Sequence, residues 1–529
     1  MRLVVFLLAC LPSLAEIQPS IVEGRVFNLG TGEPIRKAQV LLRPEGSNSR
    51  QPHGALTDAA GGFSITGVPP GRYVLMVERA GFVGSVYGGS SRNRRGVVTI
   101  SPGQHLKDLV FRLTPHGVVT GRVLDEEGEP VNGATVHALR YGYAQGRRSL
   151  MPVASSTSND IGEYRLAGLA PGRYFLSATY RATAIFNRAS EESYAPTYFP
   201  GTADPGAAAP IQVIQGNQMR GIDIQLTRTG TVRVSGRVTN SAATGEGRRN
   251  VMVFLVPRDG GFRGVGNRNS SVMREGKFEI SGVIPGSYMI SAHWYEDGAR
   301  YTASQPLDIG SGGVENVSLT LAQGFEVKGR VRIEGSSEAR LGATTVMLRA
   351  AYDDMAGAAG GRTQPDGSFA LQNVAPGDYR LQLFGMPEGC YLKSARLGDA
   401  DLLENGASVS PGSGPLEIVL SASGGQVEGV ALDAGGQPVP NTTVVLYPGE
   451  RRRHRADLFL TASPDQNGRF LIKGIAPGEY RLLALQDAEP GAWQDPDFLK
   501  QHEKHGESVS IKENGRETAQ LKVAAVEQP

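Results

Sequence analysis

Apolar and polar positions alternate in short runs along the chain, and glycine or proline breaks each run. Val22, Gly24 and Val26 fall on one parity with Glu23 and Arg25 on the other, and Ile222, Ile224 and Leu226 alternate with Asp223 and Gln225. A period of two places one strand face in a core and the other in solvent. Many such runs, separated by turn residues and lacking longer apolar stretches, predict an all-β protein of short strands.

Two phrases recur. The first is VEGRV at 22–26, VTGRV at 119–123, VSGRV at 234–238, VKGRV at 327–331 and VEGVA at 427–431, its glycines spaced by 97, 115, 93 and 100 residues. The second is GFSITGVPPGRYVL, GEYRLAGLAPGRYFL, KFEISGVIPGSYMI, SFALQNVAPGDYRL and RFLIKGIAPGEYRL, its Pro-Gly glycines (Gly71, Gly172, Gly286, Gly377, Gly478) spaced by 101, 114, 91 and 101. Two markers with one period make five repeats, each the size of one small sandwich rather than of a solenoid unit. The expected domains are 20–114, 117–228, 231–322, 324–422 and 424–526.

The second phrase reads as strand, turn, strand. Tyr164 and Leu166 are two apart and share a face, as do Tyr174 and Leu176. Pro and Gly suit the two central positions of a type II turn. The recurring Tyr73, Tyr174, Tyr288, Tyr379 and Tyr480 are expected to bury their rings and bond nearby backbone through their hydroxyls, as in a tyrosine corner. A catalytic tyrosine needs one site with a base, not five copies without one. Asp58, Asp160, Asp366 and Asp465 precede each second phrase in Asp-x-x-Gly-like turns, each offering too few oxygens for calcium.

The combined pattern, V-x-G-R-V … D-x-x-G-x-[FY]-x-[IL]-x-G-[LV]-x-P-G-x-Y, resembles the carboxypeptidase regulatory-like domain. That family is a transthyretin-like, Cna B-like β-sandwich found in tandem in secreted bacterial proteins. The resemblance spans nearly the whole chain after the leader; repeat two matches best, and repeat three departs with Arg274-Glu275-Gly276 where the Asp turn belongs. The stretches YFPGT at 198–202 and GCYLKSARLGDADLL at 389–403 also resemble segments of long bacterial secreted proteins built from these repeats. The resemblance implies five tandem transthyretin-like or Ig-like β-sandwich domains after a signal peptide. For function it implies only the roles such sandwiches serve: spacer, folding accessory or ligand platform.

The first residues, MRLVVFLLACLPSLA, combine one Arg, an apolar core and Ser13-Leu14-Ala15, the signature of a signal peptide at 1–15. A rival reading takes Leu7-Leu8-Ala9-Cys10 as a lipobox with Cys10 acylated, although its apolar stretch is short. Cleavage after Ala15 leaves Cys390 alone, so no internal disulfide is expected. No later segment has the apolar length of a spanning helix. A net charge of +2 gives no reason to expect nucleic acid or an acidic membrane surface as partner.

Several residues invite chemistry. His293-Trp294-Tyr295-Glu296 matches the H-x-x-E of metallocarboxypeptidases, but on a strand His293 and Glu296 point to opposite faces and no catalytic domain fits between the repeats. His502-Glu503-Lys504-His505 is one residue short of H-E-x-x-H. Its surroundings predict a short surface helix, with Asp495 as N-cap, Pro496 and Asp497 in the first turn, Phe498 as anchor and Gly506 as stop. Arg451-Arg452-Arg453-His454-Arg455 reads as a solvated loop. Asn269, Asn316 and Asn441 lie in N-x-[ST] sequons, and Lys328 with Asn316 falls short of a repeated isopeptide pair.

Sugar binding would need exposed aromatic platforms. Tyr194, Tyr198 and Phe199 form the best patch by composition, followed by Trp294 and Tyr295 with Tyr301. The leading reading is a non-catalytic extracytoplasmic binding or scaffold protein, secreted or in the periplasm or cell envelope, with no cofactor and no metal. Its expected partner is a glycan or a cell-envelope protein. The alternatives are a pure spacer or adhesion stalk and, least favoured, a metallopeptidase-associated enzyme. Function is to be sought in the segments that do not repeat: the loop of 140–160, the aromatic stretch of 193–202 and the insert of 495–506.

Overall fold

The computed structural model describes residues 20–45, 52–89, 96–144, 146–180, 192–240, 251–258, 268–271, 274–296, 298–335, 341, 344–350, 358–404, 406–439 and 442–526. The leader, Cys10 and Asn441 lie outside them. The chain divides into two compact units, Met1–Pro115 with the first repeat and His116–Pro529 with the other four.

Strands follow one scheme in every repeat. In the first, Ser20–Asn28 pairs antiparallel with Gly62–Val68 and parallel with His105–Leu113. A second sheet centres on Gln39–Pro44, flanked antiparallel by His53–Leu56 and Gly71–Glu78. The alternating positions of both sheets close on one core, in which Val22, Val26, Val40, Leu75 and Leu113 are fully buried. The same arrangement returns around Val119 and Leu176, Val234 and Ile290, Val331 and Leu348, and Val427 and Leu446. This is an all-β fold of tandem sandwiches, and among the described residues one α-helix, Pro496–His502, interrupts it.

The two phrases keep one period because they touch. Gly24 pairs with Phe63, Gly121 with Tyr164, Gly236 with Phe278, Gly329 with Phe369 and Gly429 with Phe470. The neighbouring parallel strand crowds the same spot. A Cβ on Gly121 would stand 1.9 Å from the Ile222 carbonyl oxygen, and one on Gly329 would stand 2.3 Å from the Phe369 ring and 2.4 Å from the Leu416 oxygen. A glycine strand position covered by a cross-strand aromatic has only that residue available.

The type II turn expected at Pro-Gly is corrected by the backbone. Gly71, Gly172, Gly377 and Gly478 have φ of 158°, 146°, 158° and 149°, far from the roughly +80° of that turn, and each begins the next strand. The left-handed residue lies four positions earlier: Gly67, Gly168, Gly282, Asn373 and Gly474, with φ of 75°, 75°, 72°, 58° and 69°. At each of these the register against the opening strand slips. The phrase is therefore a strand with a β-bulge, whose left-handed residue turns the chain toward the second sheet. Asparagine replaces glycine in repeat four because it tolerates that conformation better than other residues with a Cβ.

The tyrosine hydroxyls reach back across this turn. Tyr73 donates to the Pro69 carbonyl at 2.8 Å, Tyr174 to Ala170 at 2.7 Å, Tyr288 to Ile284 at 2.8 Å and Tyr379 to Ala375 at 3.0 Å. The fifth copy differs. The Tyr480 hydroxyl is closed off from solvent and bonds no backbone carbonyl; the polar group beside it is the Arg452 guanidinium, 5.8 Å from its ring centre.

Candidate functional site

The aromatic stretch of repeat two does not form an open platform. Thr197–Tyr198 adds to the edge of Gly172–Thr179, pairing Tyr198 with Ser177. This folds the Tyr198 ring, 4% exposed, onto Leu139, Leu150 and Phe175 on the outer sheet face. Phe199 is half-buried against the main core. Tyr194 is half-buried too, and its hydroxyl donates to Glu126 Oε2 at 2.5 Å. Arg228 pairs with the other oxygen of Glu126 and lies 5.9 Å from the Tyr194 ring centre. Burial first, then the bond to Glu126, pushes the Tyr194 phenol up, while that bond holds the Glu126 carboxyl below its usual range. Strand addition explains the difference from expectation: alternating Tyr and Thr found a free sheet edge and covered it. Glu126 carried no sequence signal, being 68 residues from Tyr194.

The second aromatic group is split by strand alternation. His293 and Glu296 both lie on Gly286–Glu296. His293 is buried beside Phe254, its Nε2 3.1 Å from Ser291 Oγ and its Nδ1 3.4 Å from Arg300 Nη2, whereas Glu296 is exposed. Trp294 turns inward, 4% exposed, with its ring centre 4.4 Å from that of Tyr301. Only Tyr295 faces out, 67% exposed, with the Arg300 guanidinium 5.8 Å from its ring centre. Among the described residues, no group of three or more His, Cys, Asp or Glu could hold a metal ion. Lys328 is exposed and pairs with Glu326 at 3.5 Å.

The polar turns and the basic run are engaged with their own chain. Asp58 Oδ1 accepts from the backbone of Ala60 and Gly62, and Asp465 Oδ1 from Asn467 and Arg469. In repeat two the corresponding residue is Asn159 and not Asp160, accepting from Ile161 and Glu163. The amide oxygen accepts as well as a carboxylate does, which hides the shift of one position from a search for Asp.

The basic run is no solvated loop. Arg453 donates to Glu503 Oε1 at 2.5 Å, and Arg455, 9% exposed, grips both oxygens of Asp457 at 2.8 and 2.7 Å. His454 and Arg455 also reach Glu404 at 2.8 and 3.4 Å, tying repeat five to repeat four. Such charge-assisted, bidentate bonds hold guanidinium groups in place. Neither Glu404 nor Glu503 is near the run in sequence, so the pairing is invisible without the fold.

The helix Pro496–His502 forms as its caps require. Asp495 accepts from the Asp497 and Phe498 backbone N–H groups at 3.0 Å, satisfying donors of the first turn. Phe498, 8% exposed, packs with Tyr447, Leu483 and Trp493. His502 stacks on Phe498 at 4.5 Å and Glu503 faces Arg453, so the two point into different contacts.

The model of the carboxypeptidase regulatory-like domain matches residues 21–114 and 118–227. No curated protein sequence matches significantly. Among solved structures, the minor pilin GBS52 of Streptococcus agalactiae is similar at 11% identity, over 39% of this chain and 96% of the pilin, with a TM-score of 0.24. The shaft pilin SpaA of Lactobacillus rhamnosus GG is similar at 13% identity over 40% and 98%, TM-score 0.19. The major pilin subunit BcpA of Bacillus cereus is similar at 11% over 58% and 99%, TM-score 0.14. Superpositions this partial say nothing of function. The sequence phrases, their contact across the opening strand and the family match agree: this chain carries tandem carboxypeptidase regulatory-like domains, at 21–114 and 118–227.

Proposed function

We propose that the protein is a non-catalytic, extracytoplasmic scaffold of the cell envelope. In this reading five sandwich domains, at 20–114, 117–228, 231–322, 324–422 and 424–526, follow a cleaved leader at 1–15. The observation that carries the reading is where the recurring polar groups go. Four of the five recurrent tyrosines and the turn residues Asp58, Asn159 and Asp465 bond to backbone of their own repeat. Groups with catalytic potential are thereby spent on holding bulges and turns, as a modular scaffold requires. No helix among the described residues is long and apolar enough to cross a membrane.

Carbohydrate binding is retained as a second reading on narrower ground, the exposed Tyr295 beside Arg300. Expression of the full chain in a bacterial host, followed by fractionation and intact mass, tests the scaffold reading. Export with loss of residues 1–15 supports it, and cytoplasmic chain with the leader intact overturns it. A glycan array comparing wild type with Tyr295→Ala tests the sugar reading. Retention abolished by the substitution supports it, and no retention by the wild type removes it.

A further inference from the structure

Two of the longest departures from the repeat scheme meet in space. In repeat two, the segment expected as a loop is a long hairpin of strands Thr135–Ala144 and Arg147–Thr157. In repeat five, the strand Gly478–Gln486 is followed by a one-turn 3-10 segment, Ala492–Gln494, and then by the helix Pro496–His502. The hairpin's tip rests on this insert, although two whole repeats separate them in sequence.

Four contacts define the meeting. The Tyr143 ring stands edge-on to Phe498, centres 6.1 Å apart at 70°, against the apolar cluster of the insert. A Cβ on Gly491 would lie 3.4 Å from Tyr143 Cβ, and a Cβ on Gly146 would lie 3.4 Å from Gln494 Cβ and 2.8 Å from its carbonyl oxygen. Both glycines are left-handed, with φ of 87° and 69°, and both backbones approach as closely as a missing side chain permits. At the margin, Arg140 Nη2 is 3.9 Å from Glu489 Oε1, with side chains 18% and 27% exposed. Burial pushes the phenol of the half-buried Tyr143 up.

We propose that the hairpin and the insert recognise each other as an intramolecular clasp, tying repeat two to repeat five so that repeats two to five act as one body. The occupant of the hairpin tip is thus this chain's own 489–498 segment. One aromatic pair, two close backbone approaches and a marginal ion pair make too small a surface to join separate molecules. Within one chain a small surface suffices, because tethering makes the contact intramolecular and closure cost grows only with the logarithm of the intervening length. This inference does not depend on the scaffold reading or on export, since it concerns contacts within the folded chain.

A change on one side of the contact with a readout on the other gives the test. In the full chain, Tyr143→Ala removes the ring that stands against Phe498, and Gly146→Ala places a Cβ 2.8 Å from the Gln494 carbonyl oxygen. Both changes lie in repeat two, and hydrogen exchange read by mass spectrometry follows peptides covering 489–502 in repeat five. The clasp predicts exchange about tenfold faster in those peptides for each variant, with the far-ultraviolet circular dichroism unchanged. Val153→Ala, at an exposed position of the same hairpin, should leave them as they were. Unchanged exchange at 489–502 in both variants, or equal acceleration by Val153→Ala, overturns the proposal.

Discussion

Tyr379 and Tyr480 offer a controlled comparison, because they sit in the near-identical phrases APGDYRL and APGEYRL. Tyr379 donates to the buried Ala375 carbonyl at 3.0 Å, whereas the Tyr480 hydroxyl is sealed from solvent, bonds no carbonyl and has Arg452 as its polar neighbour. Replacing Tyr379 by Phe removes a net hydrogen bond and strands that carbonyl, at a cost of about 1–2 kcal/mol. Opening of repeat four then becomes about 5–30 times more frequent. Tyr480→Phe removes a hydroxyl that bonds no carbonyl and has Arg452 beside it, so repeat five should change by less than about 1 kcal/mol in either direction. Hydrogen exchange on the full chain, read by mass spectrometry in peptides covering 368–381 and 469–482, separates the two repeats within one molecule. Equal protection losses for both substitutions, or no loss for Tyr379→Phe, would refute the assignment of the hydroxyl as the stabilising element of the joint.

The bulge residues make a second contrast. A Cβ on Gly168 would meet nothing within 4 Å, while one on Gly474 would meet the Cys390 carbonyl oxygen at 2.5 Å. Gly168→Asn, imitating Asn373, should cost under about 1 kcal/mol, and Gly474→Asn should cost about 1–3 kcal/mol and loosen repeat five against repeat four; chemical denaturation midpoints of the full chain check both. Acid should weaken the contact between the basic run and Glu503. The bond from Arg453 holds Glu503 below its ordinary 4.5, so its contribution is complete above that value and is lost as pH falls through the lowered one. Calorimetry from about pH 6 down to pH 3 should show a falling midpoint for repeat five, and Glu503→Gln should start lower and depend less on acid. An unchanged acid dependence in that variant would remove Glu503 from the account.

Period and alternation made the fold readable, because they are properties of neighbouring residues. The five opening strands, the Tyr anchors and the capped helix at Asp495 all follow from local spacing and local bonds. The site residues depended instead on what arrived from elsewhere. Tyr198 read as exposed because nothing in SYAPTYFPG announces that the edge of Gly172–Thr179 is open to receive it. Arg453 and Arg455 read as solvated because Glu503 and Glu404 are 50 and 51 residues away. The misplaced turn has a subtler cause. Pro-Gly is a strong turn signal taken alone, yet its glycine already belongs to the following strand, and the bend is made four residues earlier by a residue whose need for left-handed backbone appears only once the register slips.

These distances also sort the molecule's polar groups by role. Four of the five recurrent tyrosines and the turn residues Asp58, Asn159 and Asp465 are bonded within their own repeat, so they are fixed by the sandwich. Several side chains that the repeats do not share are bonded across repeats: Glu404 to His454 and Arg455, Asn373 Nδ2 to the Gly298 carbonyl at 3.1 Å, Lys473 to Glu388 at 2.6 Å. These unrepeated side chains join modules that the repeated residues build. Few large side chains remain outside both classes, and Tyr295, at the end of a long hairpin in repeat three, is the most exposed aromatic among the described residues. A partner that binds this chain through stacking therefore has three exposed rings to meet among the described residues, Tyr295 in repeat three, Phe384 in repeat four and Tyr141 in repeat two, and a footprint away from all three would mean that recognition runs through other groups.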